Sequence, residues 1–148
     1  MSEYQLTSQI LQFSVARTWD EAKLEWGLLE VYEAEQPETC LCGHFPIIEL
    51  CVLLNRRNQH QATVGNCCVK KFIGLPSDKI FEAMKRIRKD SAKSANAETI
   101  QHAFERHWIN EWEKNFYFTI MRKRNLTPKQ AAKKEDINLR ILQSLKRR

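Results

Sequence analysis

The sequence predicts an α+β chain, mostly helical, in which a small cysteine-bearing β-hairpin packs with about five helices. Three observations carry that expectation. All five cysteines, at positions 40, 42, 51, 67 and 68, fall in one stretch. Inside it, the apolar run Pro46–Leu54 and the shorter Ala62-Thr63-Val64-Gly65 flank a polar turn, which reads as two strands. Outside it, helix-capping residues precede apolar positions at helical spacing. The segments are 1–39, an N-terminal helical segment; 40–76, the hairpin module; and 77–148, a basic helical region forming one compact unit with the hairpin.

Residues 1–17 carry a weak apolar pattern at Ile10, Leu11, Phe13 and Val15, which suits a short helix or a lead-in strand. Thr18-Trp19-Asp20-Glu21 has the form of a capping box, in which the Thr hydroxyl accepts from the third residue on and that residue's carboxylate reaches back. The helix it predicts ends at Glu35-Gln36-Pro37 and carries Trp19, Ala22, Trp26 and Leu29 on one face. A second stripe, Leu24, Leu28 and Val31, suggests cover on two sides, with the tryptophans packing onto the hairpin module.

The hairpin strands are expected over about 47–54 and 61–64, joined by the turn Asn55–His60. Gly65 permits a sharp turn into a short helix, Cys68–Phe72, ended by Gly74 and Pro76. Ser77-Asp78 opens a helix with Ile80, Phe81, Met84 and Ile87 on one side and Lys79, Lys85, Arg86 and Lys89 on the other. The polar linker Asp90–Asn96 follows, and Asn96 caps a helix to about His107. Two readings of the next stretch stand side by side. Asn110 with Glu113 forms a second capping box, while Trp108, Trp112, Phe116 and Ile120, spaced by four, suit one helix running straight through. Thr127-Pro128-Lys129-Gln130 combines a Thr cap, Pro at the first helical position and Gln three after the cap. The last helix buries Ile137, Ile141, Leu142 and Leu145, with Lys129, Lys133, Arg140 and Arg147 on the opposite side. Lys134 falls on the apolar side, so it must snorkel outward or the helix must break near Asp136.

Thiolates bind zinc strongly, and a structural site needs about four ligands in tetrahedral array. A close Cys pair, Cys40-Leu41-Cys42, a hairpin and the Cys67/Cys68 pair about 25 residues on form the outline of a treble-clef zinc finger, with C-x-C in place of the common C-x-x-C knuckle. Adjacent helical residues point about 100° apart, so one ion does not take both Cys67 and Cys68. Cys40, Cys42 and Cys68 are the expected ligands. For the fourth, strand parity places Cys51 with Ile47, Glu49 and Leu53 on the mixed face, away from the apolar Ile48, Leu50, Val52 and Leu54. His44, Cys67 and His60 are the rivals.

The same stretch resembles a pattern seen in small viral and microbial proteins without assigned activity. It runs C-x-C-G-H, an apolar strand ending in Asn, then V-G-x-x-C and F, here Cys40, Cys42, Gly43, His44, Asn55, Val64, Gly65, Cys68 and Phe72. The resemblance covers about a fifth of the chain. It implies a zinc-binding module of treble-clef type, and it implies Cys51 over Cys67 as the fourth ligand, because a Cys or His recurs at that place while the position of Cys67 varies.

Composition bounds the function. Its 148 residues, 43% of them hydrophobic, with four Gly and four Pro, suit a globular chain and exclude collagenous or low-complexity classes. No apolar run reaches the length of a membrane span. The absence of a basic-then-apolar leader, with an odd number of clustered cysteines, predicts reduced thiols and a cytoplasmic location. The net charge of +6 is uneven: residues 1–39 carry −6 and residues 122–148 carry +8, an asymmetry expected of a polyanion-binding surface.

No Gly-rich phosphate loop, G-x-S-x-G, H-E-x-x-H or deaminase signature is present. A treble clef can also carry a His-based nuclease site, for which His44 and His60 are the candidates. Two principal classes follow. One is a non-catalytic, zinc-stabilised protein that binds DNA or RNA through phosphate contacts from Arg56, Arg57, Lys85, Lys89, Lys129, Lys133, Arg140 and Arg147. The other is an adaptor or inhibitor that uses its aromatic and acidic helices against a protein partner.

Overall fold

A computed structural model describes residues 2–145, of which all but the side chain of Ser2 are defined. The fold is α+β, with seven helices and one three-stranded antiparallel sheet among the described residues. The elements are α1 (Ser2–Gln12), α2 (Trp19–Ala22), β1 (Trp26–Glu38), β2 (Ile47–Asn55), β3 (Gln61–Gly65), α3 (Asn66–Cys68), α4 (Ser77–Lys89), α5 (Ala97–Glu105), α6 (Glu111–Ile120) and α7 (Pro128–Leu145). A 3-10 turn, Lys23–Glu25, follows α2, and α3 runs on as a π-helical turn, Val69–Ile73. Two compact units divide the chain at Asp78/Lys79, so the hairpin shares a unit with the N-terminal segment and the basic helices form another.

In the first unit the sheet order is β1-β2-β3. The predicted hairpin is present as β2 and β3, with Cys51 paired to Val64 and Leu54 to Gln61. The third strand corrects the sequence reading. Residues 26–38, expected as the body of a helix, form β1, which pairs with β2 from Trp26↔Asn55 through Val31↔Cys51 to Glu38↔Ile47. Thr18 does stand before a helix, but its side chain makes no capping bond, and α2 lasts four residues. Two causes combine. Gly27 and the β-preferring Val31 and Tyr32 weaken the helix, and an isolated two-stranded hairpin is only marginally stable, so β2 gains more from a partner strand than the segment gains from helix. A register shift between Leu28 and Glu30 disrupts the two-residue alternation that would have flagged the strand.

The faces of β2 also differ from expectation. Cys51, Leu53 and Asn55, on the face read as mixed, are fully buried, whereas Ile48 on the apolar face is about half exposed. Leu50 is nevertheless buried and packs with Tyr32, Ala34 and Val52. Buried Glu25 pins the far end of the sheet. Its carboxylate accepts from the Val15 and Ala16 N–H groups (2.9 and 2.7 Å) and from Asn55 Nδ2 (2.8 Å). Burial alone would raise this carboxyl; those three donors, with Arg57, hold it below the ordinary range. Trp26 is buried here, its indole donating to Ser14 Oγ at 2.8 Å.

In the second unit the predicted helix starts hold. Asn96 accepts from Thr99 N at 3.0 Å. Asn110 and Glu113 form a complete capping box, so the chain breaks after α5 and restarts at α6. Thr127 and Gln130 exchange the reciprocal bonds expected of theirs. Lys134 is buried, and burial lowers its pKa against the pull of Asp90; α7 runs past it unbroken. Tyr117 Oη donates to Asn138 Oδ1 at 2.6 Å and accepts from Ala95 N at 2.8 Å, and Asn138 donates to the carbonyls of Ser91 and Lys93, tying the linker to α6 and α7.

Candidate metal centre

Three of the predicted ligands converge. The Sγ atoms of Cys40, Cys42 and Cys68 lie within 4.8 Å of one another. Tetrahedral zinc with Zn–S near 2.3 Å sets its sulfurs roughly 3.8 Å apart, so small side-chain shifts suffice to close the group on an ion. The donor set fits a soft or borderline cation, and the three thiols could hold a metal ion.

Local backbone geometry explains the convergence. Cys40 and Cys42 sit on a tight turn closed by Gly43 N→Cys40 O at 2.8 Å and Cys40 N→His44 O at 2.9 Å. Gly43 has φ +92°, a left-handed backbone that strains any side chain and favours glycine. At the other side, β3 ends at Gly65, and α3 starts at once and lifts Cys68 toward the knuckle. Gly65 N donates to Cys40 Sγ at 3.1 Å, and Cys42 N approaches the same sulfur at 3.5 Å. Buried Asn66 braces the start of α3, donating to Glu49 Oε1 at 3.3 Å and accepting from Ser77 Oγ at 2.7 Å. The sequence names Ser77 as a helix start but gives no sign of Asn66, since a lone Asn after Gly carries no signal of burial.

The thiols do not ionise alike. Burial tends to raise Cys42, but the His44 N–H and the thiols of Cys40 and Cys68 outweigh it and hold that pKa down. Burial pushes Cys40 up, partly offset by the Cys42 and Gly65 N–H groups. Cys68 is pushed up by burial and by the negative charge beside it on Cys40 and Cys42. One thiolate is tolerated there, and three together need a cation between them.

Cys51, the fourth ligand expected from parity and from the resemblance, is not part of the group. It is fully buried in the sheet, hydrogen-bonds Ser77, and is pushed up to about 12, chiefly by burial. The parity argument placed it on the correct face, but that face is core at this position. His60 stands at the far end of β3, five residues before Gly65 and therefore about 16 Å away at 3.3 Å per residue; it stacks on Phe13 at 5.6 Å. His44 and Cys67 are exposed and line a cavity of about 420 Å³ that the three thiols also line.

The predicted phosphate contacts are scattered. At the hairpin tip, Arg56 Nη2 reaches Trp26 O at 3.4 Å, and Arg57 lies 3.7 Å from Glu25. Lys85 and Lys89 are exposed on α4. On α7, Lys133 and Arg140 both meet buried Glu113, each at 2.9 Å, and Arg140 Nη2 also meets Asp136 at 2.8 Å. Lys129 is exposed, and Arg147 lies outside the described residues. What the sequence reading did not single out is the loop before α7, where Arg122, Lys123 and Arg124 are all exposed. Among the described residues, none of these three has an ion-pair partner, nor has Lys129. No described helix is long and apolar enough to cross a membrane.

Compared with models of protein families, with curated proteins and with solved structures, the chain matches none.

Proposed function

We propose that this chain is a zinc-stabilised, non-catalytic nucleic-acid-binding protein whose metal holds the first unit together and whose C-terminal unit supplies phosphate contacts. The thiol group of Cys40, Cys42 and Cys68 supports a structural ion, since sulfur ligands favour zinc and its coordination energy adds directly to folding. The observation that carries the binding reading is the exposed cationic set Arg122, Lys123, Arg124 and Lys129, four charges within eight residues and without carboxylate partners among the described residues. Lys133 and Arg140 contribute less than the sequence suggested, because Glu113 already neutralises part of their charge.

Phosphate neutralisation releases counterions, so the apparent affinity for a DNA or RNA duplex should fall with a log–log salt slope of roughly 0.9 per contact. Replacing Arg122, Lys123, Arg124 and Lys129 together with Ala should flatten that slope by about three to four and leave helicity unchanged. Parent protein that binds neither DNA nor RNA at low salt, or a quadruple variant that binds as the parent does, would overturn the assignment.

A second reading, a module that binds protein, is favoured by one feature of α6. Trp112 is 63% exposed and stacks on Phe116 at 5.3 Å, a surface aromatic pair of the kind that anchors partners. The nuclease reading loses support, since His44 and His60 stand at opposite ends of the hairpin.

A further inference from the structure

We propose that the fourth ligand of the metal centre is the imidazole of His44, giving a set of three sulfurs and one nitrogen. The inference rests on the zinc reading above and concerns the same site.

Three arguments converge on His44. The first is elimination by position. Cys51 is fully buried in the sheet and hydrogen-bonded to Ser77, and His60 lies about 16 Å away at strand spacing. Cys67 neighbours Cys68 in a helix, so their side chains diverge by about 100°, and the burial contrast follows: Cys68 faces inward and Cys67 is exposed. The second argument is anchorage. His44 is already part of the knuckle, its N–H donating to Cys42 sulfur and its carbonyl accepting from Cys40 N at 2.9 Å. Its side chain lines the same cavity as the three thiols, and a side chain on the exposed face of the knuckle is free to change rotamer. The third argument is charge. Zinc with three thiolates carries a net charge of −1, and neutral imidazole leaves it there. A fourth thiolate would make it −2 among buried thiols, with Glu49 at the cavity's margin and, among the described residues, Lys71 as its one lining cation.

Cobalt(II) replaces zinc in such sites and reports its ligands by visible absorption. Titrated with cobalt, the full chain should give the absorption of a tetrahedral site with three sulfurs. His44→Ala should shift that absorption and weaken metal binding at least tenfold, whereas Cys51→Ser and Cys67→Ser should leave the spectrum as in the parent. His44→Cys keeps a four-ligand site and should raise the sulfur-to-cobalt charge-transfer intensity in the ratio of four thiolates to three. An unchanged spectrum in His44→Ala would overturn the assignment, and a change confined to Cys67→Ser or Cys51→Ser would move the ligand there. Parent protein that takes up neither cobalt nor zinc would overturn the metal reading itself, an outcome distinct from failure of His44 alone.

Discussion

In residues 2–78 three thiols are packed side by side around a space that suits a cation, whereas in residues 79–145 the buried carboxylate of Glu113 meets the Asn110 backbone, Lys133 and Arg140 from the same chain. Both units bury groups that are costly to bury. The helical unit compensates that cost with its own side chains, extended by the Tyr117–Asn138 bonds that hold the linker. The sheet unit satisfies Glu25 internally but sets three thiols together where they could hold an ion. A chain built this way should depend on metal in one half and on ordinary packing in the other.

The largest effect expected is on that dependence. Structural zinc contributes on the order of 10–16 kcal/mol of apparent binding energy in small fingers, as large as a typical domain's whole stability. Treating the metal-loaded protein with a strong chelator should abolish amide-exchange protection through residues 47–73 and leave residues 97–145 protected. Peptide-resolved hydrogen exchange reads both halves at once. Loss of protection in both halves together would break the comparison, and retention in both would remove the metal from it.

The helical unit leaves two buried nitrogens, His102 Nε2 and Arg106 Nε, without a hydrogen-bond partner among the described residues. His102 is buried against Trp108, ring centroids 5.3 Å apart. Burial first, then the nearby Arg106, hold its pKa down to about 4 from 6.5, so the folded protein keeps the ring neutral. The sign follows from linkage. Below pH 6.5 the unfolded chain takes up the proton first, so stability present at neutral pH is lost as pH falls toward 4, by about 1.4 kcal/mol per pH unit. Urea midpoints of the helical signal at pH 7 and pH 4.5 should separate accordingly, and His102→Leu should shrink the separation. Equal separations would mean that the imidazole is solvated in the native state.

What the sequence disclosed divides along the same line. In the second unit the cap at Asn96 and the boxes at Asn110 and Thr127 name the helix starts, because caps are local and each needs only residues three apart. The ligand trio was legible because thiol clustering is a signal in itself. What stayed hidden was non-local. β1 exists because β2 needs a partner, a fact residues 26–38 do not carry, and the apparent helical stripe Trp19, Ala22, Trp26, Leu29 is a coincidence of spacing. The paired state of Lys133 and Arg140 was hidden likewise, since the α7 pattern does not reveal that α6 sets a buried carboxylate opposite them.

The smallest effect sharpens that lesson, because a Thr-led capping box occurs in each unit with opposite outcomes. Thr18 and Thr127 both precede helices and both have a Glu or Gln three residues on. At Thr127 the hydroxyl accepts from Gln130 N at 3.2 Å, and Gln130 Oε1 accepts from Thr127 N at 3.1 Å. At Thr18 no side-chain capping bond forms, and the helix it would cap gives way to the 3-10 turn after one turn. An N-cap hydroxyl that bonds the helix is worth about 1 kcal/mol, and one that does not is worth nothing as a cap. Thr127→Ala should therefore lower the stability of the helical unit by about 1 kcal/mol, read as a shift in urea midpoint followed by hydrogen exchange in α7. Thr18→Ala should leave the protection of residues 26–65 where it was. Equal losses at both sites would mean that Thr18 caps a longer helix in solution and that the partner-strand account of β1 is wrong.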